Sequence, residues 1–124
     1  MSIQNTPYLR NVLLLDGLVS GFAGLVMAAG AAFLSPLLAL PQPLLLWAGL
    51  LLLPWCLALV LLARRPLVSR MVLVVVAGIN ALWVIASFGI LLAGLVQPYL
   101  LGVAFVGAQA LTVAVFAALQ FGVL

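Results

Sequence analysis

The chain has 124 residues, of which 69% are hydrophobic and 4% charged, and its formal net charge is +3. Its mean hydropathy of +1.53 sets it far from soluble globular proteins, in which about a quarter of residues are charged. Four cationic side chains are too few for a nucleic-acid footprint.

About 20 apolar residues cross the ~30 Å hydrocarbon core of a bilayer. Four runs of that kind are present, over residues 12–34, 43–62, 71–95 and 98–123. Hydrocarbon offers no partner to backbone N–H and C=O groups, so each run is predicted to be helical. The runs are continuous and not alternating, which argues against strands. The predicted fold class is therefore all-α: one polytopic membrane domain over residues 1–124, with four transmembrane helices in an antiparallel bundle.

The first run is longer than the apolar core of a signal peptide and carries only a poor cleavage pattern, so it is predicted to stay in the protein. It contains LLLDGLVSGFAGL, with the only acidic residue, Asp16. A carboxylate at a bilayer centre costs about 2.5–3.5 kcal/mol, and less near the surface. Asp16 is placed about one turn inside the boundary, so Arg65 or Arg70 is the expected partner; Arg10 falls near the opposite helix face. Gly17, Gly21, Gly24, Ala28 and Ala31 recur at helical spacing and form a small-residue stripe. Such a stripe serves close packing within the bundle, or docking on a partner or second copy. Ser20 lies beside it and can hydrogen-bond locally.

The uncharged SPLLALPQP follows, expected as a stiff loop from Pro36 to Pro43, with Pro43 opening the second helix. Within that helix LLPWCL places Pro54 at a kink and Trp55 away from the interfacial belts. Cys56 has no cysteine to pair with and reads as a small hydrophobe. The segment ARRPLVSR then brings Arg64, Arg65 and Arg70 together. With Arg10 these are all the cations, and the positive-inside rule puts this loop and both termini in the cytoplasm. The four arginines are expected to reach lipid headgroups.

The third run holds Asn80, Trp83 and Ser87. The fourth, opened by Pro98, holds Gln109, Thr112, Phe116 and Gln120 on one face. Asn80 and Gln109 fall near mid-helix and are expected to hydrogen-bond, with Gln120 at the depth of Asp16. Asp16, Gln120, Asn80, Gln109 and Ser87 would then form an intramembrane polar seam, as interhelical glue or as a path for something small. Trp55 and Trp83 either pack in the bundle or touch a bound lipid, quinone or pigment. No cofactor and no metal site are predicted.

In DGLVSGFAGL, NALWVIAS and LGVAFVGAQAL the chain resembles small uncharacterised four-helix inner-membrane proteins of high-GC bacteria. The resemblance implies the topology and a bacterial inner membrane, but no activity. The layout, four helices with an acid in the first, is also similar to that of the small multidrug transporters, which use a glutamate that this chain lacks.

Histidine, lysine and glutamate are all absent. This excludes histidine-ligated haem and zinc, Schiff-base lysines, paired carboxylates and Ser–His or Cys–His nucleophiles. An enzyme is not expected. The leading expectation is a non-catalytic membrane subunit or scaffold that packs against lipid and other integral membrane subunits, or against itself. The alternative is a small oligomeric transporter or channel with Asp16 as its proton- or cation-coupling carboxylate.

Overall fold

The computed structural model describes residues 2–94 and 99–124. Its elements in chain order are β1 (Ser2–Gln4), α1 (Pro7–Ala29), α2 (Ala31–Leu38), α3 (Gln42–Ala63), β2 (Leu67–Ser69), α4 (Arg70–Leu92) and α5 (Leu100–Val123). Four of these, α1, α3, α4 and α5, are long and apolar enough to cross a membrane. The helix end expected at Leu95 and the start expected at Pro98 lie outside the described residues.

The first predicted helix is displaced and divided. It starts at Pro7, not at Val12, because its cap lies outside the apolar run. The Thr6 hydroxyl accepts a hydrogen bond from the Leu9 N–H at 3.3 Å, and Pro7 occupies the first turn, where its missing N–H costs little. The helix then breaks at Gly30 (φ −98°, ψ 9°), and α2 follows with Pro36 inside it. Residues expected as a stiff loop from Pro36 are thus helical as far as Leu38. Ala31, placed at the end of the stripe, belongs to α2. The chain leaves α2 through Ala39 in the left-handed region (φ 55°), while the Ser35 hydroxyl donates to the Leu40 carbonyl at 2.6 Å.

A second departure lies at the arginine end of the molecule. β1 pairs antiparallel with β2, matching Ser2 with Ser69, Ile3 with Val68 and Gln4 with Leu67. No strand was expected there, since three residues are too few to display alternation. Asn5 extends this staple. Its N–H donates to the Pro66 carbonyl at 3.0 Å, and its Nδ2 donates to the carbonyls of Ala63 (2.9 Å) and Arg65 (2.7 Å). A side chain from the start of the chain thus satisfies carbonyls left over where α3 ends.

α1 packs chiefly on α3, and α4 on α5. Gly17 lies against Val60 and Leu59, Gly21 against Cys56, and Gly24 against Gly49 and Leu52, so the two helices run in opposite senses. The two backbones come closest where glycine meets glycine. A methyl group at Gly49 would stand 2.6 Å from the Ala28 nitrogen and 2.7 Å from the Gly24 oxygen. Ala28 is half-buried beside this crossing and Ala31 is buried. α1 is the most enclosed of the four long helices. Two apolar clusters complete the core: Leu9, Leu13, Leu59, Ala63, Val68, Leu73 and Val76 at the arginine end, and Met27, Ala31, Leu38, Leu40, Leu45 and Leu52 at the other.

Gly49→Ala forces two backbones apart and is expected to destabilise the fold by about 1–3 kcal/mol, the usual cost of overpacking. Gly78→Ala, where a methyl would meet nothing within 4 Å, is expected to be neutral or slightly stabilising. Reversible unfolding of both variants in lipid–detergent micelles measures the difference, and equal losses would contradict this packing.

Candidate functional site

With α1 starting at Pro7, Asp16 lies about 14 Å along that helix at ~1.5 Å per residue, near its middle. Its side chain is 1% exposed. Oδ2 accepts hydrogen bonds from Asn80 Nδ2 and Gln120 Nε2, both at 2.8 Å, and Oδ1 accepts one from the Ser20 hydroxyl at 3.3 Å, one turn along α1. Asn80 Nδ2 also donates to Gln120 Oε1 at 2.9 Å. Asp16, Asn80 and Gln120 therefore form a closed triangle across α1, α4 and α5. A carboxylate only accepts, which orients both amide groups with nitrogen toward it.

The ion pair expected between Asp16 and Arg65 or Arg70 does not form. Every donor given to the carboxylate is neutral, and Arg10, Arg64, Arg65 and Arg70 are all exposed. Arg70 stands ten residues, about 15 Å, before Asn80 on α4, and Arg64 and Arg65, just past the end of α3, carry exposed side chains while amide and hydroxyl donors occupy the carboxylate.

The expected pairing of Asn80 with Gln109 also fails, and for a related reason. Gln120 belongs to the last turn of α5, yet it meets residues near the middles of α1 and α4. α5 is therefore shifted away from the arginine end and toward α2, and the Tyr99 N–H donates to the Leu38 carbonyl at 3.1 Å. The shift carries Gln109 past Asn80 to a second cluster. There Trp83 Nε1 donates to Gln109 Oε1 at 2.7 Å, Gln109 Nε2 donates to the Ser87 hydroxyl at 2.9 Å, and Ser87 donates to the Trp83 carbonyl at 2.7 Å. The seam is thus divided into two hydrogen-bonded groups. Thr112, placed on the same face, is exposed and donates to its own helix at the Ala108 carbonyl.

Two cavities lie beside the clusters. One, of about 270 Å³, is walled by α3, α4 and α5 and presents Trp83, Ser87 and Gln109 among apolar side chains that include Met27, Leu45 and Phe105. The other, of about 480 Å³, lies between α3 and α4 at the arginine end and includes Trp55 and Arg65. Neither is lined by Asp16, Asn80 or Gln120. Trp55 is half-buried and packs against both apolar clusters. Among the described residues no group of His, Cys, Asp or Glu is placed to hold a metal ion.

Chemically, the triangle is suited to holding helices. Its carboxylate is sealed, and its oxygens are occupied by amide and hydroxyl donors. Sequence reasoning passed over Asn5, Thr6 and Gly49. Thr6-Pro7 is a readable cap signature, whereas nothing local marks Gly49 as the partner of Gly24, or Asn5 as a loop staple. Comparison of the chain with protein-family models, curated proteins and solved structures finds no match.

Asn80→Leu removes two of the triangle's bonds. Interhelical hydrogen bonds in membranes are worth about 0.6 kcal/mol on average and up to about 1.7, so the loss is expected at about 1–3 kcal/mol. Asn80→Asp, which sets two carboxylates side by side, is expected to cost more. Gln109→Leu should leave the Asp16 contacts untouched. Unfolding in micelles, combined with cysteine cross-linking between α1 and α4, reads all three.

Proposed function

We propose that this chain is a non-catalytic integral membrane subunit or scaffold. In this reading the four long helices form an antiparallel bundle in the inner membrane of a bacterium, with the arginine end and both chain termini on the cytoplasmic side. The outer faces then contact lipid and other membrane proteins. One observation carries the reading: the single acidic side chain is sealed among neutral donors from its own helix and two others. The residue on which a transport mechanism would turn is committed to joining helices. Many large apolar side chains on α3, α4 and α5 face outward, among them Leu51, Leu57, Leu82, Ile85, Leu111 and Val115, which suits lipid or helical neighbours.

The rival reading, an oligomeric transporter or channel, needs water or a cation to reach Asp16. Neither cavity touches that side chain, which is 1% exposed.

Mild extraction from native membranes, followed by reciprocal purification through the co-migrating protein, is expected to return a complex of fixed stoichiometry. Isolation of a lone homodimer would overturn the subunit reading. Asp16→Asn keeps one oxygen for Asn80 and Gln120 and can offer Nδ2 to Ser20, so it is expected to preserve the complex. Proton or cation flux in reconstituted vesicles that disappears with Asp16→Asn would favour the transporter instead.

A further inference from the structure

The chain carries four arginines and one acidic side chain, and that acid is enclosed in the Asp16–Asn80–Gln120 triangle. No acidic side chain of the protein is therefore available to neutralise the exposed arginines. One of the four differs from the rest in its surroundings: Arg65 lies at the mouth of the 480 Å³ groove between α3 and α4. Below it the walls are apolar, with Trp55 and Leu62 from α3 and Val72 and Val76 from α4, and Ser69 adds a hydroxyl at the rim. Arg10, Arg64 and Arg70 do not line this groove.

The mouth is held in shape. Asn5 Nδ2 donates to the Arg65 carbonyl at 2.7 Å, and Ser69 is the β2 residue paired with Ser2. The backbone at both rim residues is thus held by the N-terminal segment, while their side chains stay exposed. From Leu62 back to Trp55, α3 runs about 10 Å at ~1.5 Å per residue. That is most of the ~15 Å depth of one hydrocarbon leaflet. A cation and a hydroxyl at the interface above an apolar trough about 10 Å deep match an anionic headgroup joined to an acyl chain.

We propose that the α3–α4 groove binds one anionic phospholipid, with its phosphate on Arg65 and Ser69 and an acyl chain laid along Trp55, Leu62 and Val76. The proposal rests on the membrane reading of the chain and not on its role as a subunit.

Native mass spectrometry of the full chain, released from mixed bilayers of phosphatidylglycerol and phosphatidylcholine with identical acyl chains, tests it. The expected result is about a fivefold preference for phosphatidylglycerol, the worth of one arginine near an anionic surface. Arg65→Gln should abolish the preference and Arg10→Gln should leave it intact. Ala58→Trp, which fills the groove while keeping Arg65, should displace the lipid. Added glycerol phosphate should not compete, because it lacks the chain that the trough holds. Equal retention of both lipids by the unaltered chain would overturn the proposal, as would equal losses in Arg65→Gln and Arg10→Gln, or competition by glycerol phosphate. If Arg65→Gln fails to fold by circular dichroism, the unaltered chain and Ala58→Trp decide. A chain that stays dispersed without detergent would overturn the membrane reading; one that requires a bilayer yet shows no lipid preference would overturn the lipid site alone.

Discussion

Everything else in this protein is arranged around a carboxylate held in apolar surroundings by neutral donors. A polar side chain buried among apolar ones is tolerated only with partners, and Asp16 takes its main ones from two other helices. Asn80 and Gln120 must therefore stand at its level. That requirement sets the height of α5, and the height of α5 decides that Gln109 meets Trp83 and Ser87. One polar contact thus determines the axial register of three helices, where apolar surfaces alone would slide with little change in energy.

The two halves are joined internally by different means. α1 and α3 meet through small residues whose backbones nearly touch at Gly24 and Gly49, so dispersion at close range does the work. α4 and α5 are tied by amide and hydroxyl side chains. Steric contact fixes distance but tolerates rotation poorly; hydrogen bonds fix register but reach across wider gaps. The triangle then links the two pairs.

How far the sequence reveals this follows from the range of each signal. Four long apolar helices were legible because hydropathy is a property of each segment by itself. The standing of Asp16, Asn80, Gln109 and Gln120 was legible because polar side chains are rare here. Their partners were not, since pairing depends on relative height, and height depends on where α1 begins and on the unforeseen α2. Asp16 seemed destined for the loop arginines because nothing local reveals that Asn80, Gln120 and Ser20 occupy its oxygens. The β1–β2 ladder left no trace because its residues lie far apart in the chain and each strand is too short for periodicity.

That small ladder constrains more than the loop it pins. Ser2–Gln4 and Leu67–Ser69 exchange backbone hydrogen bonds, so in a membrane both must lie on the same side. An even number of crossings therefore separates them. α1 and α3 satisfy this parity as one passage out and one back, and α2 is left to turn without traversing. A strand pair of three residues thus acts as a count on the topology, independent of the arginines and indifferent to which side is the cytoplasm.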